Sequence, residues 1–456
     1  MRFVDLFCGI GGFHHALSDL KHECVFACDI DKDCNQVYFD NWQMSSKGDV
    51  RNLSDVVPDH DILCAGFPCQ PFSKSGDQKG LRDKMYGVTE SFFPRIRGTL
   101  FGQIIDIVES KEPDFVFLEN VQNLESHDNA RTIRIIRGAL RELGYYVHET
   151  VRSPHHFGIP QHRPRIFIVA IKRSIEGHSE FRFPEKEDVV CDVMDIYDGS
   201  TKRDIDPSLQ SVLDHWTVFV SSLPGGVTPP SPTWSMEFGR EYSLDSIHPV
   251  SELSKSELCK VLSREGINVK MSWKKDRILD LFPPYIRKMK VEMPKWKKQF
   301  ILRNRKFWND YGGTLPDDWL KTTRRFSDTH QKFEWHVGSD SERDVMSHMI
   351  HTRPSGIRVS RMDKIPALVA IAQIPIIGPW NRRITPREAA RAQSFNDGFL
   401  LHKNDSVAYK QLGNSVNVEV VRRIMQKIEI IAKGSGIYAG DDALEASESR
   451  FQAINR

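Results

Sequence analysis

The sequence predicts an α/β protein in which a mostly parallel sheet is covered by helices and a smaller second domain is set into the chain. Three observations carry this. Short apolar runs recur at Phe3–Phe7, Cys24–Cys28, Ile62–Ala65, Phe115–Leu118 and Arg165–Ala170, bounded by Gly, Pro or Asp. Segments of helical character, such as Phe13–Leu20 and Thr132–Leu143, lie between them. That alternation is the mark of strands joined by helical crossovers. After about Lys172 the texture becomes richer in polar residues, Pro and Trp, with turn signals at Pro224-Gly225-Gly226 and Pro229-Pro230-Ser231-Pro232.

Later elements follow from local signals. Ser251–Arg264 reads as a helix with Ser251 and Ser254 as candidate caps. Thr385-Pro386-Arg387-Glu388 reads as a helix start, with Thr as N-cap and Pro in the first turn. Val407, Leu412, Val416, Val420 and Ile424 suggest one further packed helix, and the tail from Gly434 is small and polar. No internal repeat is seen.

Composition sets the outer limits. A chain of 456 residues, 39% hydrophobic and 27% charged, has ordinary globular usage and can bury a sizeable core without staples. No apolar run approaches the ~20 residues that span a bilayer. The start, Met1-Arg2-Phe3-Val4-Asp5-Leu6-Phe7, carries an acid in a short apolar stretch and does not read as a signal peptide. Of eight cysteines five precede residue 65, which fits no disulfide framework and leads us to expect a reducing cytoplasm. Cys24, Cys28 and Cys34 lack a paired CxxC, so no metal site is expected there.

The net charge of +2 hides an asymmetry. Residues 1–172 hold 20 Lys+Arg against 23 Asp+Glu, whereas residues 271–306 hold 12 against 3. An acidic lobe joined to a basic one points to an enzyme with a polyanion-facing module, although a solvated basic helix face gives the same count.

Candidate chemistry gathers at the ends of the apolar runs. Asp5-Leu6-Phe7-Cys8-Gly9-Ile10-Gly11-Gly12 follows a strand and opens a helix, a place where glycines let backbone approach a ligand. Its spacing is not G-x-G-x-x-G. Asp29 ends the next run, where a ribose-binding carboxylate sits in a doubly wound sheet, and Asp49 lies in Gly48-Asp49-Val50. Cys69 stands in Gly66-Phe67-Pro68-Cys69-Gln70-Pro71-Phe72-Ser73, just past an apolar strand. A thiolate is a strong nucleophile, but most free cysteines are merely small buried hydrophobes. Glu119 leaves the strand Phe115–Leu118 at its C-terminal end, and Arg163 and Arg165 alternate at the start of another strand, so that both should face one side. Cys69, Glu119 and Arg165 would then form a nucleophile, a proton donor and a cation for a carbonyl oxygen.

Together these segments resemble the DNA (cytosine-5)-methyltransferase family of the bacterial restriction-modification type. The resemblance covers Phe3–Lys172 and Ile384–Ile430 and rests on motifs in the family's order: Asp5–Gly12, Pro68-Cys69-Gln70, Glu119-Asn120-Val121, Gln161-x-Arg163-x-Arg165, Thr385–Glu388 and Gly413-Asn414-Ser415-Val416. It implies a Rossmann-like S-adenosylmethionine-dependent methyltransferase fold with an inserted target-recognition domain. Residues 1–172 and 403–433 would form the catalytic domain, 173–402 the recognition domain, and 434–456 a polar tail. S-adenosylmethionine would be contacted by Phe7, Gly9, Ile10, Gly11, Asp29, Ile30, Asp49, Val50, Pro68 and Asn414, with Asp29 at the ribose and Asp49 at the adenine. Cys69 would attack C6 of a flipped-out cytosine, Glu119 would hold its N3 and amino edge, and Arg165 would stabilise the base, with Arg163 in the same catalytic group. Gln70, Ser73, Arg97, Lys295, Lys297 and Lys298 would contact DNA, the lysines lying in the basic, aromatic-interleaved stretch Trp273–Trp308.

The implied partners are double-stranded DNA and a cognate restriction endonuclease of the same system, with no membrane and no metal; a monomer is expected. Two departures from the family pattern stand out. Extra residues near Lys84–Ile96 carry Tyr86, Phe92 and Phe93, and Pro366-Ala367-Leu368-Val369 stands where a Thr-Leu pair is common. A cytosine-5 methyltransferase for transfer RNA and a non-catalytic DNA-binding regulator are the competing readings.

Overall fold

The computed structural model describes residues 1–51, 53–68, 99–201, 204–241, 244, 250, 252–263, 267–287, 289, 293–368 and 373–437. The chain forms two compact units: residues 1–198, 363–372 and 385–456, and residues 199–362 and 373–384.

The first unit is built on a six-stranded sheet. Its strands are β1 (Arg2–Leu6), β2 (Glu23–Cys28), β3 (Ile62–Gly66), β4 (Phe115–Val121), β5 (Tyr145–Arg152) and β7 (Arg165–Lys172), in the order β2-β1-β3-β4-β7-β5. A two-residue strand, β6 (Gln161–His162), lies apart from this sheet. β1 to β4 pair in parallel, and β7 runs antiparallel to both β4 and β5. The central strands are sealed on both faces, as parallel sheets require, and so read as unbroken apolar runs: β1, β3 and β4 bury almost every residue. β5, by contrast, alternates polar and apolar residues (Tyr-Tyr-Val-His-Glu-Thr-Val-Arg) at the edge of the sheet, which is why no apolar run announced it.

Helices Gly12–Asp19, Leu100–Lys111 and His127–Glu142 link the strands. In Leu100–Lys111 the Thr99 hydroxyl accepts the Gly102 N–H at 3.0 Å, and Phe101, Ile104, Ile105 and Val108 form the buried stripe of a 3.6-residue period. The start at Thr385 has the expected form: Thr385 Oγ1 accepts the Glu388 N–H at 3.1 Å, Glu388 Oε2 accepts the Thr385 N–H at 2.8 Å, and Pro386 occupies the first turn. The single helix expected across 407–424 is two, Asp405–Asn414 and Val418–Gly434. The break has a cause: Asn417 caps the second helix by accepting the Val420 N–H, while Arg163 takes the carbonyls of Gly413 and Ser415.

The units part after Asp198, beyond the expected boundary at Lys172, and the chain rejoins the first unit at Thr385, before the expected 403. Residues past 172 pack on the first sheet: Phe181 meets the His148 ring, and Cys191 Sγ lies 3.6 Å from the Ile159 carbonyl. Thr385 Oγ1 likewise donates to Asp198 at 2.5 Å.

The second unit carries a mixed sheet with two cores. Its first strands are β8 (Thr233–Trp234), β9 (Lys332–His336), β10 (Met349–Arg353) and β11 (Gly356–Ser360). The chain then returns to the first unit, where β12 (Ile365–Pro366) pairs with β6. β13 (Ile376–Ile377) and β14 (Arg382–Arg383) complete the second sheet in the order β14-β13-β10-β11-β9-β8. One sheet face packs on Trp216, Phe219 and Trp319 through Phe333, Ile350, Ile357 and Val359. A separate apolar cluster, including Leu258, Leu262, Ile278, Phe282, Ile286 and Ile301, holds the helical segment between β8 and β9. There the helix Lys255–Ser263 starts with Ser254 accepting the Glu257 N–H at 3.3 Å; Ser251, the other expected cap, lies outside the described residues. Among the described residues no helix is long and apolar enough to cross a membrane.

Candidate functional site

The first unit's sheet reverses direction between β1 and β3: the chain goes outward from β1 to β2 and returns to pair β3 on β1's other side. Such a switch point opens a crevice at the C-terminal ends of the strands. Four strand ends meet there, and each delivers residues that the sequence had singled out.

After β1 the chain turns through Phe7 (φ 56°), Gly9 (φ 53°) and Gly11 (φ 84°). Left-handed backbone at the non-glycine Phe7 is costly and is found where a site demands it. Gly11 cannot carry a side chain, since a Cβ would lie 2.5 Å from the Trp42 indole nitrogen. The turn is tied to the end of β2 by Asp29, whose Oδ2 accepts the Gly9 N–H and whose Oδ1 accepts the Asp31 N–H, both at 2.8 Å. Burial pushes the Asp29 carboxyl above its ordinary pKa, and these backbone donors pull it part of the way back. Each oxygen keeps a lone pair for a further donor.

A cavity of about 670 Å³ occupies the crevice. Its lining includes a first group, Phe7, Gly9, Asp29, Ile30, Asp49, Val50, Pro68 and Asn414, and a second, Glu119, Asn120, Arg163 and Arg165. Ile30 leaves 72% of its surface exposed at this lip, an apolar face offered to a ligand. Asp49 accepts from Arg51 N at 3.0 Å and Arg51 Nε at 2.8 Å, and this partner holds its carboxyl below the ordinary range. Two expected cofactor residues do not line the cavity. Ile10 is 1% exposed and belongs to the core, while Gly11 is turned to Trp42 and Tyr38.

At the end of β4, Glu119 is 7% exposed and its Oε1 lies 3.0 Å from Arg165 Nε. Burial raises the Glu119 pKa, and the positive charges of Arg165 and then Arg163 oppose that rise. Asn120 fixes the neighbouring strand end, its Nδ2 donating to the Phe67 carbonyl at 2.8 Å. The two arginines, expected to act side by side, have separate tasks. Arg163 is buried, donates to the carbonyls of Gly413 at 2.8 Å and Ser415 at 2.7 Å, and receives support from Ser153 Oγ, which accepts its backbone N–H. Burial, and then repulsion from Arg165, lower the Arg163 pKa to about 9. Only Arg165 reaches Glu119 at ion-pair distance. Pro164 between them belongs to neither β6 nor β7, and both arginines line the one cavity. Asn120 and Ser153 carry no charge and gave no signal on their own.

Cys69, Gln70, Ser73 and Arg97, with the extra segment Lys84–Ile96, lie outside the described residues; Pro68, the last described residue before Cys69, lines the cavity. In the second unit Lys295 is exposed at the start of the helix Lys295–Tyr311. Lys297, expected on DNA, is half-buried: its Nζ stands 4.5 Å from the Tyr285 ring centre, and burial lowers its pKa. Arg305, in the same basic stretch, is spent on the buried Glu237, to which Nε donates at 3.0 Å and a terminal nitrogen at 2.8 Å.

The family model of C-5 cytosine-specific DNA methylases matches residues 1–219 and 241–430. The chain belongs to this family. It is a DNA (cytosine-5)-methyltransferase, and the family's methyl donor is S-adenosylmethionine. Among similar proteins, the Type II methyltransferase M.AluI of Cellulosimicrobium cellulans is 31% identical over 93% of this chain and 91% of its own. The Type II methyltransferase M.BanI of Aneurinibacillus aneurinilyticus is 30% identical over 94% and 95%. A solved structure of a prophage-encoded E. coli protein, assigned as a DNA modification methyltransferase, aligns with a TM-score of 0.50 at 18% identity over 95% of this chain and 99% of that one, a likeness of fold.

Proposed function

We propose that this methyltransferase acts on one cytosine within a specific duplex DNA sequence, taking the base out of the helix into the crevice of the first unit. The observation that carries this reading is the pairing, around one cavity, of the Asp29-tethered glycine turn with the Glu119–Arg165 ion pair. The first group of lining residues suits a nucleoside and the second a polar base edge. A cavity of about 670 Å³ has the size of a small-molecule site, and a base stacked in a duplex must leave the helix to enter such a site.

S-adenosylmethionine fits the first group: the lone pairs left on Asp29 would accept from ribose hydroxyls, and Ile30 and Phe7 offer apolar surface to the adenine. When bound, it supplies the electrophilic methyl group that C5 accepts. The chain's own residues do the rest. Cys69, next after Pro68, forms a bond from its thiolate to C6, and the C5–C6 π pair moves onto C5 as the nucleophile. Glu119, whose carboxyl burial pushes above its ordinary pKa, delivers a proton to N3 and accepts from the exocyclic amine, drawing charge from the ring. Arg165 holds Glu119 in place and keeps a cation near the base carbonyl. Arg163 serves as a positioning residue that fixes the Gly413–Ser415 turn beneath Asn414. Loss of the C5 proton to a base then returns the pair to C5–C6 and expels the thiolate.

The proposed chemistry calls on no metal. The Type II names of the relatives favour a DNA-modification role; protection of DNA beside a cognate endonuclease, a monomeric state and a cytoplasmic location belong to the same proposal. A duplex carrying 5-fluorocytosine at the target tests the mechanism, because fluorine cannot leave as a proton would. Wild-type enzyme should form a complex stable to denaturant, and Cys69→Ala should form none while still binding the methyl donor. A trapped complex with the alanine variant would overturn the assignment.

A further inference from the structure

The sheet of the second unit has two unlike faces. Phe333 and Trp335 of β9, Ile357 and Val359 of β11, and Ile350 of β10 point into its aromatic core. The alternating residues must emerge on the other side. They include Glu334, His336, Arg358, His351 and Arg353. Register sets three of them in a row across the strands, with Arg358 opposite both Glu334 and His351.

Glu334 organises this face. It is 8% exposed; its Oε1 accepts from Arg353 at 2.8 Å, and its Oε2 accepts from Arg358 Nε at 2.8 Å, with a terminal nitrogen of Arg358 also at 2.8 Å. His336 Nε2 stands 3.3 Å from the same oxygen. Two guanidiniums on one carboxylate leave a positive charge unmatched. The Arg358 side chain remains 37% exposed, whereas that of Arg353 is 20% exposed with its Nε buried, so Arg358 presents the more accessible N–H groups. Beside them His351 is 9% exposed and its Nε2 has no hydrogen-bond partner among the described residues; burial and then the two arginines lower its pKa to about 4, leaving it neutral and uncharged at this already cationic spot.

A structural ion pair needs one arginine and no exposed fork. Two arginines braced on one buried acid, on an otherwise polar sheet face, make a pre-oriented set of planar donors. Such forks match the O6 and N7 acceptors of guanine in the major groove. We propose that Arg353 and Arg358, positioned by Glu334, read a guanine within the recognised duplex and so help set the sequence that this enzyme methylates. The inference rests on the reading of a specific duplex substrate given above.

The test uses full-length enzyme and a set of duplexes that differ by one base pair around the methylated cytosine, with kcat/KM for each. Arg358→Lys and Arg353→Lys keep the charge and lose the fork. At least one should lower discrimination at a single G·C position by ten- to a hundred-fold, with the slope of log affinity against log salt unchanged. Glu334→Gln should weaken preference at that same position, since it loosens the brace without touching DNA. Full preference in both lysine variants would overturn the proposal, and so would an equal fall on every duplex with a flatter salt slope, which marks phosphate contacts. A lowered Tm with unchanged preference would assign the cluster to stability alone and overturn it too. Wild-type enzyme that methylates duplexes without preference would refute the underlying reading instead.

Discussion

Replacing Arg165 with alanine leaves the Glu119 carboxylate buried without its nearest cation. The two groups are 3.0 Å apart, with side chains 17% and 9% exposed, so the pair is largely shielded from solvent. Removing one partner of a buried pair costs about 3–5 kcal/mol when the survivor stays charged. Glu119 can instead take up a proton, and this gives the loss a pH signature. Its pKa in the folded protein is already raised by burial, so the wild type binds more protons than its unfolded chain above the ordinary carboxylate range and loses stability as pH rises there. Without Arg165 the folded pKa rises further. The variant's deficit should therefore be small where Glu119 is protonated in both proteins. It should open as the wild-type group ionises, grow by at most ~1.4 kcal/mol per pH unit, and level off at about 3–5 kcal/mol once the variant's carboxyl has ionised too. Urea unfolding of both proteins at a series of pH values from 5 to 9 measures the difference. A deficit that is the same at every pH would mean that Arg165 contributes only packing, and the coupling to Glu119 would be refuted.

Two further perturbations are specific. Asp29→Ala should weaken donor binding about ten- to a hundred-fold, from loss of charge-assisted bonds worth ~1.5–3 kcal/mol, and should also lower Tm because the Gly9 and Asp31 N–H groups lose their acceptor; unchanged affinity by calorimetry would reduce Asp29 to a structural tether. Lys295→Ala should flatten the salt dependence of DNA binding by about 0.9 in slope, one phosphate's share, whereas Lys297→Ala should leave the slope alone and lower stability, because Lys297 stands over Tyr285; equal slope changes would show that both reach the backbone.

Much of the first unit was legible because burial on both faces of a parallel sheet leaves no choice of residue. β1, β3 and β4 are apolar runs with chemistry at their ends, and Asp29, Glu119 and Pro68 stand around the cavity for that reason. What stayed hidden depended on partners distant in sequence. Arg163 looks like Arg165 in the chain, yet the carbonyls of Gly413 and Ser415, some 250 residues on, give it a separate task. The break between the helices ending at Asn414 and starting at Val418 follows from the same contacts. Ile10 and Gly11 belong to the glycine motif, but Gly11 is needed for its close approach to Trp42, a demand of packing. In the second unit a run of basic charge could not reveal that Arg305 answers Glu237, or that Lys297 faces a ring. Net charge counts residues without saying which way they point.

The central claim is chemical: methyl transfer to C5 of cytosine in duplex DNA. It is tested by incubating the purified enzyme with S-adenosylmethionine labelled in its methyl group, in parallel with a mixed-sequence DNA duplex and with transfer RNA, then digesting each to nucleosides and identifying the labelled product. The account predicts label in the duplex alone, recovered as 5-methyl-2′-deoxycytidine. Label on an exocyclic amine of cytosine or adenine, or label confined to transfer RNA, would contradict it.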